Sequence, residues 1–172
     1  LYYLRGLVNS SRDTVFLQRV WKLDASRRDL ATPQQAYNDF KLVVERYPNS
    51  RYAADATKRM GELRDLFARH EIETALYYLR RGAWVAAIER AEYMAETYPQ
   101  STYDADAIAV KGEAYARLGN TALSNSAREQ LRQRAPQHPW LSADGDWPDY
   151  PSNLRKLNPF AGEKSPLDRD RK

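Results

Sequence analysis

Cysteine is absent from the chain, so neither a disulfide framework nor a thiolate metal site is available to it. No run of about 18 apolar residues is present to span a bilayer, and no charged-then-apolar leader opens the sequence at Leu1. Histidine is nearly absent too: His70 and His138 stand far apart, without metal-ligand spacing around either. A Gly-rich phosphate loop, a Gly-x-Ser-x-Gly elbow and a His-Glu-x-x-His pattern are all missing. Acid pairs such as Glu89 with Glu92, or Asp104 with Asp106, fall on outer helix faces and helix starts, where they serve solvation and the helix dipole. The expectation is a non-enzymatic protein without cofactor or metal. The net charge of +4 comes from basic residues interspersed with acids rather than from one stripe, which argues against nucleic acid.

What is present is helix punctuation, written twice. Tyr47-Pro48-Asn49-Ser50-Arg51-Tyr52-Ala53-Ala54-Asp55-Ala56 returns as Tyr98-Pro99-Gln100-Ser101-Thr102-Tyr103-Asp104-Ala105-Asp106-Ala107. In each copy an apolar-periodic segment stops at Tyr-Pro, a Ser able to cap follows, and an Ala-rich segment begins. Such self-similarity marks a helical repeat array, whose usual work is to present a surface to another protein. At 172 residues and 42% hydrophobic, the chain can bury a continuous core.

Thr32-Pro33-Gln34-Gln35 reads as a capping box that starts a helix near Pro33. Its buried stripe is predicted as Ala36, Phe40, Val43, Val44 and Tyr47, ending at Pro48. Ser50 is expected to cap the next segment. From Arg51 to Arg81 there is no proline and only Gly61, so the run is either one long helix or two with a bend near His70. Its inward positions are predicted as Tyr52, Ala56, Met60, Leu63, Phe67, Ala75, Tyr78 and Leu79. Gly82 supplies a left-handed closing residue, and the following helix turns Trp84, Ala87, Ile88, Ala91 and Met94 inward before Tyr98-Pro99. Ser101-Thr102-Tyr103-Asp104 reads as another capping-box-like start, for a helix reaching Gly119-Asn120; a last helix runs to Ala135-Pro136.

Two stretches break the pattern. The insertion 10–32 holds Val15, Phe16, Leu17, Val20, Trp21 and Leu23, too apolar for free solution, so it either folds back on the array or meets a partner. The tail 137–172 is rich in Pro, Asp, Ser and Asn and is expected to be extended and mostly irregular, pinned by Trp140, Trp147, Tyr150 or Phe160. Opening at Leu1-Tyr2-Tyr3, in what reads as mid-helix, the chain is expected to be a fragment of a longer protein.

Ala75, Tyr78, Gly82, Trp84, Ala87 and Pro99 fall at the small, tyrosine, turn-glycine, aromatic, alanine and proline positions of a tetratricopeptide unit of about 34 residues. Gly112, Tyr115, Gly119 and Pro136 repeat the match, with Ser124 where alanine is usual. The fold expected over residues 1–136 is therefore all-α, a right-handed solenoid of tetratricopeptide-type hairpins, followed by the tail.

Arg5-Gly6-Leu7, Leu23-Asp24 leading to Arg28-Asp29, Tyr47-Pro48-Asn49-Ser50, Asp55 to Arg59, Tyr77-Tyr78 and Arg81 to Ala86 occur in an order that resembles the carboxy-terminal repeats of the BamD family of outer-membrane assembly lipoproteins. The likeness runs from about Tyr2 to Pro136 and leaves the tail outside the family pattern. It implies a scaffold subunit of the β-barrel assembly machinery, at the periplasmic face of the outer membrane of a Gram-negative bacterium. It also implies binding to the periplasmic POTRA region of BamA and to companion lipoproteins. Lipid anchoring and capture of unfolded outer-membrane proteins would belong to parts of the family pattern outside this chain.

The helix from Ala83 to Thr97 carries the candidate contact residues. Beside its inward stripe, Ala83, Ala86, Arg90, Tyr93 and Thr97 line a second face, and Glu89 and Arg81 complete the expected partner-binding set of Arg90, Tyr93, Ala86, Glu89 and Arg81. Arg90 has only Ala86, Ala87, Tyr93 and Met94 three and four residues away, so no carboxylate of its own helix pairs with it. It either reaches a partner carboxylate bidentately, or is solvated, or pairs with an acid on an adjacent helix. The BamD resemblance implies a BamA contact at this position. Trp84, Tyr47 and Tyr98 are expected to be packing residues. Two other functions fit a helical array: an accessory domain of a larger cell-wall enzyme, and a generic peptide-binding adaptor.

Overall fold

The computed structural model describes residues 1–11 and 30–141. Among them the chain is all-α: α1 (Tyr2–Ser11), α2 (Ala31–Arg46), α3 (Ala53–Arg80), α4 (Trp84–Thr97), α5 (Asp104–Arg117) and α6 (Thr121–Arg134), with no strand. Most of the insertion, and Trp147, Tyr150 and Phe160 of the tail, lie outside the described residues. Within the described residues no helix is long and apolar enough to cross a membrane. The chain divides into two compact units at His70 and Glu71, inside α3.

Helix ends follow the local chemistry closely. Proline forces the residue before it out of the helical region, and α2 and α4 stop at Tyr47 and Tyr98, with φ of −136° and −123°. Glycine closes α3 and α5 instead. Gly82 and Gly119 adopt φ of +74° and +76°, and each sits in a Schellman motif. In the first, Ala83 N–H donates to Tyr78 O at 3.0 Å and Gly82 N–H to Leu79 O at 3.1 Å; in the second, Asn120 donates to Tyr115 O at 2.9 Å and Gly119 to Ala116 O at 3.0 Å.

Helix starts depart from expectation. α2 begins at Ala31, with Leu30 at the cap and no side-chain cap bond, so Thr32 lies inside the first turn and forms no capping box. Ser50 does not cap α3: Ala53 N–H is met by the Ser50 carbonyl at 3.0 Å, and the Ser50 hydroxyl is enclosed without a partner among the described residues. Ser101 acts one turn-step too early for a cap, accepting from Tyr103 N–H at 3.2 Å while α5 starts at Asp104. The side-chain cap in unit two is Asn120, whose Oδ1 accepts from Leu123 N–H at 3.2 Å. A polar residue straight after a closing glycine is its sequence signal.

In the first unit, α1 crosses α2 where Gly6 meets Phe40; a Cβ on Gly6 would stand 2.8 Å from Phe40 Cε1. Arg5 donates from Nε and Nη2 to the two carboxylate oxygens of the fully buried Asp39, at 2.8 and 2.5 Å. That carboxylate holds the Arg5 guanidinium above its usual pKa. Tyr3 joins α1 to α3: it donates to Asp55 Oδ2 at 2.8 Å and stacks on Tyr52 at 4.6 Å. Arg59 donates to the same oxygen at 2.6 Å. Hydrogen bonds from Arg59 and then Tyr3 hold the Asp55 carboxyl below the usual carboxylate range, and the bond to Asp55 raises the Tyr3 phenol. Tyr37 of α2 meets Phe67 of α3 edge to face, with ring centroids 6.1 Å apart.

Tyr47 and Tyr52, expected inside, are exposed. Both flank the proline turn rather than a helix interior, and with Leu1, Tyr2, Tyr3, Leu4, Val43 and Ser50 they line a cleft of about 310 Å³.

α3 is one helix. Its buried positions Ala56, Leu63, Phe67, Ile72, Ala75, Leu76 and Leu79 keep three-and-four spacing through His70, and Ala68 and Ile72, both wholly buried, fill the patch where a bend was an alternative. In the second unit, α4 buries Ala87, Ile88, Ala91 and Met94. Trp84, expected in that stripe, is only half-buried, its ring 3.6 Å from where a Cβ on Gly82 would lie. α5 is the most enclosed helix, burying Ala107 to Val110 and Gly112 to Ala114, and it packs on both α4 and α6. α6 contributes Ser124, Ala127 and Leu131.

Candidate functional site

The outer face of α4 follows from its inner one. Four buried positions spaced three and four apart occupy one stripe, so the residues between them point away from the core. Val85 (58%) and Tyr93 (47%) are well exposed, Glu89 is exposed, and Ala86 and Arg90 are half-buried. Ala86, four residues before Arg90, puts only a methyl group beside it on this face.

Arg90 has a carboxylate partner after all, from an adjacent helix. Nη1 donates to Glu71 Oε2 of α3 at 3.0 Å, with the side chains 39% and 12% exposed. The guanidinium carbon also lies 5.8 Å from the centre of the Tyr93 ring, a cation–π contact along α4. Tyr93 in turn meets Tyr98 edge to face at 6.5 Å. Tyr98 is half-buried, in keeping with a packing role. A partly screened pair of this kind contributes on the order of 1 kcal/mol, so its main effect is to order the arginine.

The other flank of α4 is tied down. Lys111 of α5 lies 3.6 Å from Glu92. Burial, and then the Glu92 charge, push the nearby Tyr115 phenol above its ordinary value.

Of the candidate residues, Arg90 and Tyr93 are brought together, with Ala86 and Glu89 on the same helix. Arg81 belongs to a different pairing, its guanidinium 5.2 Å from the Tyr77 ring. Glu71 is the participant that sequence reasoning missed. It stands 19 residues upstream on another helix, where no spacing rule within a helix applies. Val85 was missed as well; a valine next to a tryptophan expected to point inward carries no outward signal.

The chain matches the family model of the outer membrane lipoprotein YfiO over residues 1–131. It is 65% identical over 165 residues to the outer membrane protein assembly factor BamD of Xylella fastidiosa strain 9a5c, covering 96% of this chain and 56% of that protein. It is 40% identical to the BamD of Vibrio cholerae, over 78% of this chain and 55% of the relative. Against the BamD of Neisseria meningitidis strain Z2491 it is 39% identical, over 81% and 52%. The chain thus spans about half the length of the curated relatives it matches. The family match ends before the tail, in line with the expected limit of the family pattern near Pro136, while the match over 165 residues carries the likeness to the Xylella relative into the tail.

Proposed function

From the premise that this chain belongs to the YfiO family of outer membrane lipoproteins, we propose that it is a non-enzymatic scaffold in outer-membrane protein assembly that docks the periplasmic POTRA region of BamA on the outer face of α4. It works at the periplasmic face of the outer membrane. Companion lipoproteins dock beside it, and unfolded outer-membrane proteins are met by repeats beyond those described.

The observation that carries this reading is Arg90. A guanidinium ordered by Glu71 and Tyr93 yet 39% exposed stands beside an exposed tyrosine, and arginine and tyrosine are residue types enriched at protein interfaces. The three relatives described are named as assembly factors. That favours a scaffold over a cell-wall enzyme's accessory domain or a generic peptide adaptor.

Titration with the POTRA region tests it. Reversing the charge with Arg90→Glu should weaken binding by at least about tenfold, since like charges facing each other across an interface cost several kcal/mol. The array should stay folded with only a modest drop in melting temperature, because the change costs the pair with Glu71 but removes no buried core side chain. Equal affinity for both forms would sink the assignment.

A further inference from the structure

Glu71 governs how Arg90 is presented. The Arg90 fork carries five N–H donors in one plane, and Glu71 engages Nη1. The edge formed by Nε and Nη2, which grips a carboxylate with two parallel bonds, makes no hydrogen bond among the described residues. Glu71 projects from α3 and Arg90 from α4, so the ion pair fixes the guanidinium relative to two helices rather than to its own stem alone. Glu71 is itself well enclosed, at 12% exposure, and has little room to swing away. A free arginine would lose its rotamer freedom on binding, a loss that opposes association; one already held loses little.

We propose that Glu71 is a positioning residue: it anchors one corner of the Arg90 guanidinium so that the Nε–Nη2 edge stands ready for a partner carboxylate, giving a carboxylate–guanidinium–carboxylate bridge across the interface. The proposal rests on the reading of α4 as a docking face. It predicts the opposite sign from simple competition, in which Glu71 would have to release Arg90 before binding.

Two measurements on the whole chain test it. In the free protein, anchoring at Nη1 should slow guanidinium rotation and leave the Arg90 Nη–H resonances resolved in NMR spectra, and these should merge with those of mobile surface arginines in Glu71→Gln. Titration with the BamA POTRA region should then show Glu71→Gln binding about 2- to 10-fold more weakly, the range expected for freeing one long side chain. Glu71→Asp should recover part of the loss, and in an Arg90→Lys background Glu71→Gln should have no further effect. If Arg90→Glu weakens binding but Glu71→Gln leaves it equal or tighter, positioning is overturned. A Glu71→Gln loss that persists in the Arg90→Lys background marks general structural damage and overturns it as well. Unchanged affinity for Arg90→Glu would instead remove the docking reading, an outcome distinct from both.

Discussion

His138 Nε2 and Asp106 Oδ1 lie 3.1 Å apart inside the protein, their side chains 5% and 4% exposed, although one follows the last helix and the other sits in the first turn of α5. The backbone N–H of Trp140 donates to His138 Nδ1 at 3.2 Å, which leaves the ring proton on Nε2, facing Asp106. Trp140 is buried beside the imidazole, 6.2 Å away edge to face. The first residues of the tail are therefore part of the folded body, in line with Trp140 as a pin.

Replacing that imidazole should loosen the end of the array. His138→Ala removes a buried partner of Asp106 and the acceptor of the Trp140 amide, at a cost of about 1–3 kcal/mol. Urea denaturation should show a lower midpoint with an unchanged slope. A midpoint equal to that of the unmodified chain would mean that the tail contact adds nothing.

The crossing of α1 and α2 tolerates no side chain at Gly6. A methyl there would stand 2.8 Å from Phe40 Cε1, on a ring that is itself fully buried, and overpacking of this order costs about 1–3 kcal/mol. Gly6→Ala should lower the melting temperature. Pairing it with Phe40→Leu should restore part of the loss, a non-additivity that calorimetry on the two single variants and the double variant can read.

Acid and alkali should loosen the Tyr3, Asp55 and Arg59 cluster at opposite ends of the pH scale. Asp55 has its pKa lowered in the folded protein, so its contribution is present above its unfolded value of about 4 and fades as pH falls through the lower folded value. Tyr3 has its pKa raised, so its contribution is full below its unfolded value of about 10 and fades as pH climbs through the higher folded one. Asp55→Asn should flatten the acid limb of the melting-temperature profile, and Tyr3→Phe the alkaline limb. Profiles that keep their shape in both variants would contradict the linkage.

Two glycines in neighbouring segments should respond to alanine with opposite signs. Gly82 adopts φ of +74°, a conformation that costs a residue with a Cβ about 1–2 kcal/mol. Gly61 lies inside α3 with nothing within 4 Å of a built Cβ, so alanine there should stabilise by about 0.4–1 kcal/mol. Thermal melts of Gly82→Ala and Gly61→Ala shifting the same way would show that local backbone preference does not decide either site.

The stops of the helices were legible because they are settled within five or six residues. Pro48 and Pro99 act on the residue before them, and Gly82 and Gly119 supply the left-handed turn that a Schellman motif needs. The starts were read less well: Thr32, Ser50 and Ser101 are all competent caps, but a cap works only if the chain reaches it at the right angle. That angle depends on how the preceding element packs. The candidate face on α4 was visible as a periodicity, with Arg90 and Tyr93 standing off the buried stripe.

By itself the sequence determined that the described chain is all helix and where those helices stop, because proline, glycine and three-and-four apolar spacing act over short distances along the chain; its family was legible separately, in the likeness of its ordered motifs to known relatives. Only the tertiary structure decided that Glu71 takes Arg90, that Asp39 takes Arg5 and that His138 turns in to Asp106. Each of those pairs joins segments distant in sequence, and which charged groups meet depends on which helix faces lie against each other. No periodicity within a single helix specifies that.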